Sequence, residues 1–544
     1  MARIIGRNKE IKELHTLYKS NQAHLVAIYG RRRVGKTFLV DQALNGKITF
    51  RHAGLSPVDE EGKKNLMPEQ LKHFYHSLLL QGMPKSHIPT SWLEAFFMLS
   101  MHLQNNDTGR RQVVFLDELP WLDTPRSGFL TAFEGFWNTW ACHRDNVMVI
   151  VCGSANSWIL DKLINNHGGL YGRTTHIIKL SPFTLNECEQ FFKSKNIPIS
   201  RYDIVQSYMI FGGVPYYLNY FEPQLSLPQN VDRLMFANDG KLKEEYDRLF
   251  ASVFSSPEDM KAIVECIGRR HSGYMRKEIS SFTGIEDSGN LSDKLKALVA
   301  SNFIIEYAPF GDSVRNTRYK LVDPFCRFYQ TYIKGRHNLP EDFWTQNIDS
   351  QAVISWRGIA FEEVCLNHIS QIKKGLGIAG VSTEQSSWIQ RGDNNNEGTQ
   401  IDLIIKRKDN IYNLCEIKFY SEEFTVDKSY HAKLVHRKNL FLEHIPRKAA
   451  IHSTLITTYG LTHNEYCSDS ISVVTLEDLF AESTKCHGDR PFLNCKGTDF
   501  VDFVSSFAAH CIFRKRNFYT CHQNKLSPHQ QLWGELRLVS STGS

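Results

Sequence analysis

The chain has 544 residues, of which 42% are hydrophobic and 22% charged, an ordinary globular composition that excludes long disorder over most of its length. At about 150 residues per domain, this length predicts three or four domains. The formal net charge of +6, from 64 basic and 58 acidic residues, excludes a histone-like coat for nucleic acid, so any DNA-binding surface must be local.

The chain carries no signal for membrane insertion or secretion. No run reaches the roughly 18 apolar residues of a spanning helix, and the segment after Met1 turns polar too early for a signal peptide. The 12 cysteines lack the density of a disulfide framework and sit mostly singly in apolar runs, as reduced core cysteines do. We therefore expect a cytoplasmic protein without a membrane partner.

Residues 1–256 alternate short apolar runs with amphipathic helical stretches. That alternation predicts an α/β domain whose strands form a parallel sheet. The predicted strands are His24–Tyr29, Gln112–Leu116 and Val147–Cys152. A polar stretch broken by Pro and Gly, near 56–68, is expected to form a loop on this domain.

A phosphate-binding loop follows the first strand, because the residues after Tyr29 match the pattern G-x-x-x-x-G-K-[ST] in full and a helical pattern comes next. Glycines let backbone N–H groups and a helix N-terminus face phosphate. Lys36 would reach the β- and γ-phosphates, and Thr37 would offer its hydroxyl to Mg²⁺. ATP and Mg²⁺ are thus the predicted cofactors, and the predicted nucleotide-binding residues are Gly30, Arg31, Arg32, Arg33, Val34, Gly35, Lys36, Thr37 and Asp117.

An acidic pair ends the second predicted strand. Asp117 would hold Mg²⁺, usually through water, and Glu118 would orient or deprotonate the attacking water. Such a pair can also be a solvated strand end, but downstream of a phosphate loop the catalytic interpretation is favoured. The loop arginines 31–33 are expected to face solvent or a partner, because the backbone and Lys36 already serve the phosphates.

Two further segments offer groups for the transferred phosphate. The third strand ends in Gly-Ser-Ala-Asn, where Ser154 or Asn156 would contact the γ-phosphate unless the segment is a plain turn. Arg173 follows a glycine run and would bring positive charge to the phosphoryl group, in cis or across a subunit interface. The alternative is a surface arginine in a loop. The predicted catalytic residues are Lys36, Glu118 and Arg173.

Several segments of this region combine into a more specific pattern: Ile5-Gly6-Arg7-Asn8-Lys9-Glu10, the phosphate loop, Leu116-Asp117-Glu118-Leu119-Pro120-Trp121, Cys152-Gly153-Ser154, Leu170-Tyr171-Gly172-Arg173-Thr174 and Phe211-Gly212-Gly213-Val214-Pro215-Tyr216-Tyr217. The pattern resembles a prokaryotic AAA-related ATPase family of the STAND-like MNS clade, over roughly residues 1–480. The resemblance implies a P-loop NTPase sheet, a helical lid that holds Gly213 and Pro215, then a winged helix, then a restriction-endonuclease-like domain of uncharacterised function.

The pattern changes over 257–334, where three short helical stretches precede two strand-like runs. That order predicts a winged helix. The third stretch, Asn290–Ser301, would be the recognition helix for DNA, with Arg315 and Arg318 on or near the wing. A net charge of +2 is small for a DNA-binding surface, so docking against another domain or protein is the alternative.

Residues 335–484 predict a separate α/β module with clustered charges. Glu416 and Lys418 point to one face of a predicted strand, and Asp402 is expected to end a neighbouring strand. This Asp–x13–Glu-x-Lys order resembles the core of PD-(D/E)XK nucleases, with Glu362 as an additional acid. The predicted metal ligands are Glu362, Asp402 and Glu416, with Lys418 as the nuclease lysine. The alternative is plain charge alternation on a half-exposed strand, and a net charge of −5 disfavours a free-standing DNA binder.

The predicted domains are an ATPase core (1–180), a helical lid (181–256), a winged helix (257–334), a restriction-endonuclease-like domain (335–484) and a tail of unknown role (485–544). The tail is rich in Cys and His, but its spacings lack the close pairs of structural zinc sites. No function is therefore predicted for it.

The predicted function is an ATP-binding and ATP-hydrolysing molecular switch with winged-helix and nuclease-like output modules. Its candidate partners are DNA, a second copy of the chain, or another protein. One alternative is a nucleotide-dependent interaction protein whose nuclease fold is inert. The other is an ATP-gated, Mg²⁺-dependent nuclease.

Overall fold

The structure is a computed structural model, and it describes residues 4–56, 65–165, 169–170, 172–254, 256–311, 316–390, 392, 398–467 and 471–482. The predicted tail lies outside these ranges, as does Arg315 of the predicted wing. Within the described ranges, no helix is both long and apolar enough to cross a membrane.

A five-stranded parallel sheet forms the predicted ATPase core, here residues 4–180, in the order β2-β3-β4-β1-β5. Its strands are β1 His24–Tyr29, β2 Phe50–Ala53, β3 Gln112–Asp117, β4 Val147–Gly153 and β5 His176–Lys179. Its helices are α1 Asn8–Lys19, α2 Lys36–Ala43, α3 Met67–Leu80, α4 Trp92–Asn105, α5 Leu119–Leu122, α6 Phe129–Thr139 and α7 Asn156–Trp158, with a 3₁₀ turn at Ala141–His143 and a π-helical stretch at Ile159–Ile164.

The apolar runs become the central strands because helices cover both faces of the sheet. Every residue of β1 and β4 is buried, as expected for a parallel sheet enclosed by helices. Side chains that alternate along β1 point into two separate hydrophobic clusters, one with Leu25 and Ala27, the other with Val26 and Ile28. The packed sheet therefore fixes the strand tips where the phosphate loop and the acidic pair lie.

The described residues between 181 and 256, which the sequence predicts to be a lid and which are called the lid below, are mainly helical and follow the core. Its helices are α8 Leu185–Ser194, α9 Arg201–Phe211, α10 Pro215–Leu218, α11 Leu227–Val231 and α12 Glu245–Val253, with a π-helical stretch at Asp232–Phe236. The turn between α9 and α10 requires glycine at position 213, because φ is +65° and a Cβ there would lie 2.4 Å from the Phe183 carbonyl oxygen.

The middle module, residues 257–334, contains the predicted three helices and hairpin, followed by one more helix. Its strands pair antiparallel in the order β6-β8-β7. The elements are α13 Pro257–Gly268, β6 Tyr274–Met275, α14 Arg276–Thr283, α15 Gly289–Ala300, β7 Ile304–Tyr307, β8 Arg318–Leu321 and α16 Pro324–Tyr332.

The C-terminal module, residues 335–482, is built on a mixed five-stranded sheet. Strands β9, β10 and β11 pair antiparallel, whereas β11, β12 and β13 pair parallel. The elements are α17 Phe343–Asn347, α18 Gln351–Asn367, α19 Ile369–Gly375, β9 Thr383–Gln390, β10 Thr399–Arg407, β11 Ile411–Lys418, α20 Lys428–Leu442, β12 Ala450–Thr457, β13 Ile471–Val474 and α21 Leu476–Leu479. The expectation that Asp402 ends a strand is wrong, because the bulged pairing of β10 with β9 extends β10 back to Thr399.

A buried histidine joins the lid to the C-terminal module. His368 is fully buried, and its Nε2 accepts a hydrogen bond of 3.0 Å from the Leu185 backbone N–H at the start of α8. Its Nδ1 donates to the Val364 carbonyl oxygen at 2.7 Å. Burial lowers the pKa of His368 to about 4, so the neutral imidazole is the form that fits this contact.

This contact predicts a pH-dependent contribution to stability. Because the folded pKa of His368 lies below the unfolded value near 6.5, the contribution is complete above about pH 6.5 and decreases as the pH falls towards 4. The stability difference between the wild type and His368→Gln, taken from urea unfolding at each pH, should narrow by about 3 kcal/mol over that range. The exposed His337→Gln serves as the control, and a difference independent of pH would contradict the prediction.

Candidate functional site

The phosphate loop lies between β1 and α2, at the carboxyl edge of the parallel sheet. Gly30 leaves β1 so close to the next strand that a Cβ there would lie 2.0 Å from the Leu180 carbonyl oxygen. The Lys36 ammonium is buried and donates to the Gly30 and Arg31 carbonyl oxygens at 3.1 and 3.2 Å and to Ser154 Oγ at 3.1 Å. Burial lowers the pKa of Lys36, an effect that the Glu118 carboxylate opposes. The loop therefore folds around the ammonium of Lys36, the group that phosphate binding requires.

A pair of oxygen ligands lies beside the loop. Thr37 Oγ1 donates a hydrogen bond of 2.7 Å to Asp117 Oδ2. The other carboxylate oxygen accepts from the Cys152 thiol on the adjacent strand, also at 2.7 Å, a contact that sequence analysis missed. A hydroxyl and a carboxylate at hydrogen-bond distance fit the ligand preference of Mg²⁺.

Glu118 is held in a strained backbone conformation by its own side-chain contacts. Its φ is +45°, in the left-handed region that non-glycine residues seldom adopt. The carboxylate accepts hydrogen bonds from Ser154 N–H at 3.0 Å and Ser154 Oγ at 2.7 Å. Ser154 thus connects Glu118 to Lys36, so the predicted base, a predicted sensor and the loop lysine form one hydrogen-bonded network.

The second predicted sensor connects the loop to another module. Fully buried Asn156 accepts a hydrogen bond from the Gly30 backbone N–H at 2.9 Å. Its side-chain amide donates to the Ala300 carbonyl oxygen at the end of α15, at 3.1 Å. A change at the phosphate loop can therefore reach the middle module through one side chain.

The loop arginines are not free in solvent, so that part of the expectation is wrong. Arg31 is only 3% exposed, and its guanidinium lies 2.7 Å from the equally buried Asp323 of the middle module. Burial acts to lower the pKa of Arg31, but Asp323, together with smaller effects of Tyr217, Cys326 and Glu245, raises it overall. Sequence reasoning missed Asp323 because nothing local marks it as a partner of the loop.

The other two arginines contact neighbouring elements. Arg33 forms two hydrogen bonds of 3.0 Å with Glu245 of the lid and lies 3.9 Å from the centre of the Tyr216 ring. Arg32 lies 5.9 Å from the Trp121 ring. The physical reason is the same as for Arg31: beside a packed sheet, a guanidinium is desolvated and must find a carboxylate or a ring face.

Arg173 lies at the opposite edge of the sheet from the phosphate loop. It is exposed and precedes β5, where Thr175 N–H donates to the Leu25 carbonyl near the start of β1. The six residues of β1 separate the two edges, which is about 20 Å. The expectation that Arg173 acts on the nucleotide of its own chain is therefore wrong in this structure, because the side chain cannot span that distance.

A second charged site, the acidic centre, lies where the middle and C-terminal modules meet. It consists of His271, Glu362 and Asp402, whose possible ligand atoms all lie within 4.8 Å of one another. Burial and the neighbouring carboxylates raise the pKa of Asp402, and burial raises that of Glu362. One nitrogen and two carboxylates form a donor set that fits a divalent metal.

The remaining two predicted nuclease residues lie beside this centre. Glu416 bonds with the Tyr430 hydroxyl at 2.5 Å, with Lys418 at 3.0 Å and with Arg437. Burial would raise the pKa of Glu416, but the charges of Lys418 and Arg437 hold it below its ordinary value. Its carboxylate is thus paired with cations rather than grouped with the three possible ligands, although its charge acts on both Glu362 and Asp402.

The middle module contributes His271 to the acidic centre and places Lys320 beside it, and the sequence predicted neither residue. His271 Nε2 bonds with Glu362, and Lys320 Nζ lies 3.2 Å from the same nitrogen. Lys320 is 7% exposed and lines, with His271 and Asp402, a cavity of about 10 Å³, the lower limit for one water molecule. Burial lowers the pKa of Lys320, opposed by the charges of Glu362 and Glu363.

Comparison with known proteins matches the part of the chain that contains the first of the two sites. Residues 4–221 match the family described as an ATPase domain predominantly from Archaea. This stretch contains the whole phosphate loop, the acidic pair and the network around Ser154. The protein therefore carries a P-loop ATPase domain and is an ATP-binding and ATP-hydrolysing protein.

Two relatives come from Methanocaldococcus jannaschii. An uncharacterized protein is 26% identical over 406 residues, covering 74% of this chain and 83% of the relative. An uncharacterized ATP-binding protein is 42% identical over 43 residues, 8% of this chain and 73% of the relative.

Two solved structures from other archaea are also similar. A Walker-type ATPase of Pyrococcus abyssi is 19% identical, covering 60% of this chain and 96% of that one, with a TM-score of 0.43. The ORC2 protein of Aeropyrum pernix is 12% identical, covering 67% and 95%, with a TM-score of 0.38.

The buried Arg31–Asp323 pair predicts a large loss of stability when its charge balance is removed. Asp323→Asn keeps an acceptor for the Cys326 backbone N–H, which Asp323 caps at 2.9 Å, but leaves Arg31 buried without a counter-ion. The free energy of unfolding in urea should fall by about 3–5 kcal/mol. Asp239→Asn, which breaks an exposed pair with Arg233, should leave it unchanged, and equal effects of the two variants would contradict the prediction.

Proposed function

We propose that this protein is a nucleotide-driven switch whose ATPase core governs the middle and C-terminal modules. The observation that carries the proposal is the network in which the loop lysine, Lys36, is hydrogen-bonded to Ser154 and Ser154 to Glu118. That network joins a phosphate-binding group to a candidate base. Asn156, two residues after Ser154, is hydrogen-bonded both to Gly30 of the phosphate loop and to the Ala300 carbonyl oxygen of the middle module.

The proposed roles at the nucleotide follow from the chemistry of each group. Lys36 and the loop N–H groups bind the β- and γ-phosphates, and Thr37 with Asp117 holds Mg²⁺. When bound, Mg²⁺ neutralises charge on the phosphate oxygens. Glu118 orients the attacking water and takes its proton. Ser154 is hydrogen-bonded to both Lys36 and Glu118, so a contact between Ser154 and the γ-phosphate would change the positions of both side chains.

Arg173 is proposed to act on a neighbouring copy of the chain. It is exposed at the edge of the sheet opposite its own phosphate loop. The proposed assembly is a ring or filament of copies packed head to tail, arranged so that this edge of one copy faces the nucleotide site of the next. An arginine donated in this way stabilises the charge of the transferring phosphoryl group. A homo-oligomer is therefore the proposed assembly.

The middle and C-terminal modules are the proposed output. The middle module is proposed to be a winged helix with DNA as its partner, a proposal supported by its three helices and antiparallel strand pair. The C-terminal module is proposed to have the restriction-endonuclease-like fold, and its charge of −5 means that other modules would hold the nucleic acid. ATP hydrolysis would end the closed conformation of the core and lid and return the middle and C-terminal modules to their arrangement without ATP.

The central test is ATP turnover. Lys36→Ala removes the phosphate-binding ammonium, and Glu118→Gln keeps a hydrogen-bonding side chain but removes the base. Each should lower turnover, measured by phosphate release, by about 100-fold or more. The exposed Lys47→Ala on the same core is the control and should match the wild type. Equal turnover in all four proteins would refute the proposed site.

A second candidate function is an ATP-gated, Mg²⁺-dependent nuclease, which the acidic centre favours. Glu362 and Asp402 would hold the metal, which when bound polarises a water for attack on a phosphodiester. Lys418, paired with Glu416 beside the centre, would stabilise the developing charge.

This nuclease candidate predicts nucleotide-dependent cleavage. With ATP and Mg²⁺ present, cleavage of DNA followed by gel electrophoresis should be lost in Asp402→Ala and Lys418→Ala, whereas the exposed Lys408→Ala should retain it. Absence of cleavage across DNA and RNA substrates, together with an oligomer whose size follows the bound nucleotide, would instead favour an interaction protein with an inert nuclease fold.

A further inference from the structure

A short segment of the middle module contacts both candidate sites. Residues 320–327, here called the coupling segment, contain the end of β8 and the first half of α16. Lys320 reaches the acidic centre, and Asp323, three residues later, pairs with Arg31 of the phosphate loop. Three residues span at most about 11 Å of chain, so the two contacts are joined by one short stretch of backbone.

The coupling segment is also anchored to the C-terminal module. Arg327 forms a buried ion pair with Glu363, which is the chain neighbour of Glu362. The Arg327 guanidinium also donates to the Leu321 carbonyl oxygen at 2.9 Å, which ties α16 back to β8. All three charged side chains of the segment are 3–7% exposed. Charges buried to this degree keep their partners, because a lone buried charge is costly.

We propose that Lys320 is an internal cation that closes the acidic centre, and that nucleotide at the phosphate loop withdraws it through Arg31 and Asp323 so that a divalent metal can enter. The proposal deepens the switch and metal centre proposed above and rests on them. It assigns to Lys320 a gating role outside the ATPase site.

Lys320 is suited to substitute for a metal ion. Its ammonium lies 3.2 Å from Nε2 of His271, one of the three possible ligand residues, and the negative charges of Glu362 and Asp402 act on it. An ammonium and a divalent ion compete for the same carboxylates, since both are stabilised by negative charge at short range. With Lys320 in place, a metal would meet a positive charge at the centre.

The phosphate loop holds its groups in contacts that a nucleotide would replace. The Gly30 N–H is bonded to Asn156, the Lys36 ammonium to loop carbonyls, and the Arg31 guanidinium to Asp323. Triphosphate brings several negative charges to these same donors. Competition of phosphate with Asp323 for Arg31 weakens the ion pair, and the coupling segment then shifts together with Lys320.

The first experiment measures Mn²⁺ binding to the full chain by isothermal titration without nucleotide. Lys320→Met removes the internal cation, and its affinity for Mn²⁺ should exceed that of the wild type by at least about tenfold. Lys320→Arg keeps the charge and should bind as weakly as the wild type. Adding Asp402→Asn to Lys320→Met should abolish the site, which assigns the binding to the acidic centre.

The outcomes separate this proposal from the one on which it rests. Equal Mn²⁺ affinity in wild type, Lys320→Met and Lys320→Arg, with a site that Asp402→Asn removes, would overturn the gating role while leaving the metal centre intact. No Asp402-dependent site in any variant would overturn both. ATP turnover of the same preparations reports separately on the ATPase core.

A second measurement needs no variant and so remains informative if Lys320→Met does not fold. Acetylation of wild-type lysines by acetic anhydride, followed by mass spectrometry, should label Lys320 slowly without nucleotide and several times faster with a non-hydrolysable ATP analogue and Mg²⁺. Lys296, which is 77% exposed on the same module, should be labelled equally in both states. A labelling rate of Lys320 that does not depend on the analogue would overturn the coupling.

Discussion

A guanidinium buried beside a phosphate loop needs a carboxylate within reach, and in this protein another module supplies it. Arg31 and Asp323 are each 3% exposed and lie 2.7 Å apart. Separating such a pair leaves an uncompensated charge in a poorly hydrated place, which costs far more than any exposed ion pair contributes. The position of the middle module is therefore tied electrostatically to the conformation of the loop, and the ATPase core cannot change shape alone.

The requirement that a buried cation has an anion nearby also applies to the other contacts between modules. Arg33 meets Glu245 of the lid, Arg327 meets Glu363, and Lys320 approaches the acidic centre. The first two contacts each join a cation on one module to an anion on another, and the charges of Glu362 and Glu363 on the C-terminal module act on Lys320. Phosphate can compete for the cationic side chains of these contacts, and a divalent metal can compete for the carboxylates. Ligand binding at the phosphate loop or at the acidic centre therefore acts on the same connected group of charged side chains. This is the physical basis of a switch, because each ligand changes the relative stability of two arrangements.

The sequence predicts the elements better than the contacts between them. The apolar run His24–Tyr29 and the loop after it are local patterns, so the strand and the phosphate site follow from short windows. The partners of Arg31 and Glu362 lie 292 and 91 residues away along the chain, and no local pattern indicates such pairs. The sequence gives a partial signal for Lys320, because it lies between Tyr319 and Leu321 on a short strand. A lysine there needs a nearby anion if its side of the strand is covered by another module.

Asp323 makes two contacts at once. One carboxylate oxygen pairs with Arg31, and the other accepts a hydrogen bond from the Cys326 N–H at the start of α16. The first turn of α16 is thus fixed in register by the same group that balances the loop charge. One inserted or deleted residue at 321–322 would rotate Lys320 to the opposite face of its strand or displace the helix cap. Length variation is consequently excluded in this stretch, whereas an exposed turn such as 108–110 tolerates it.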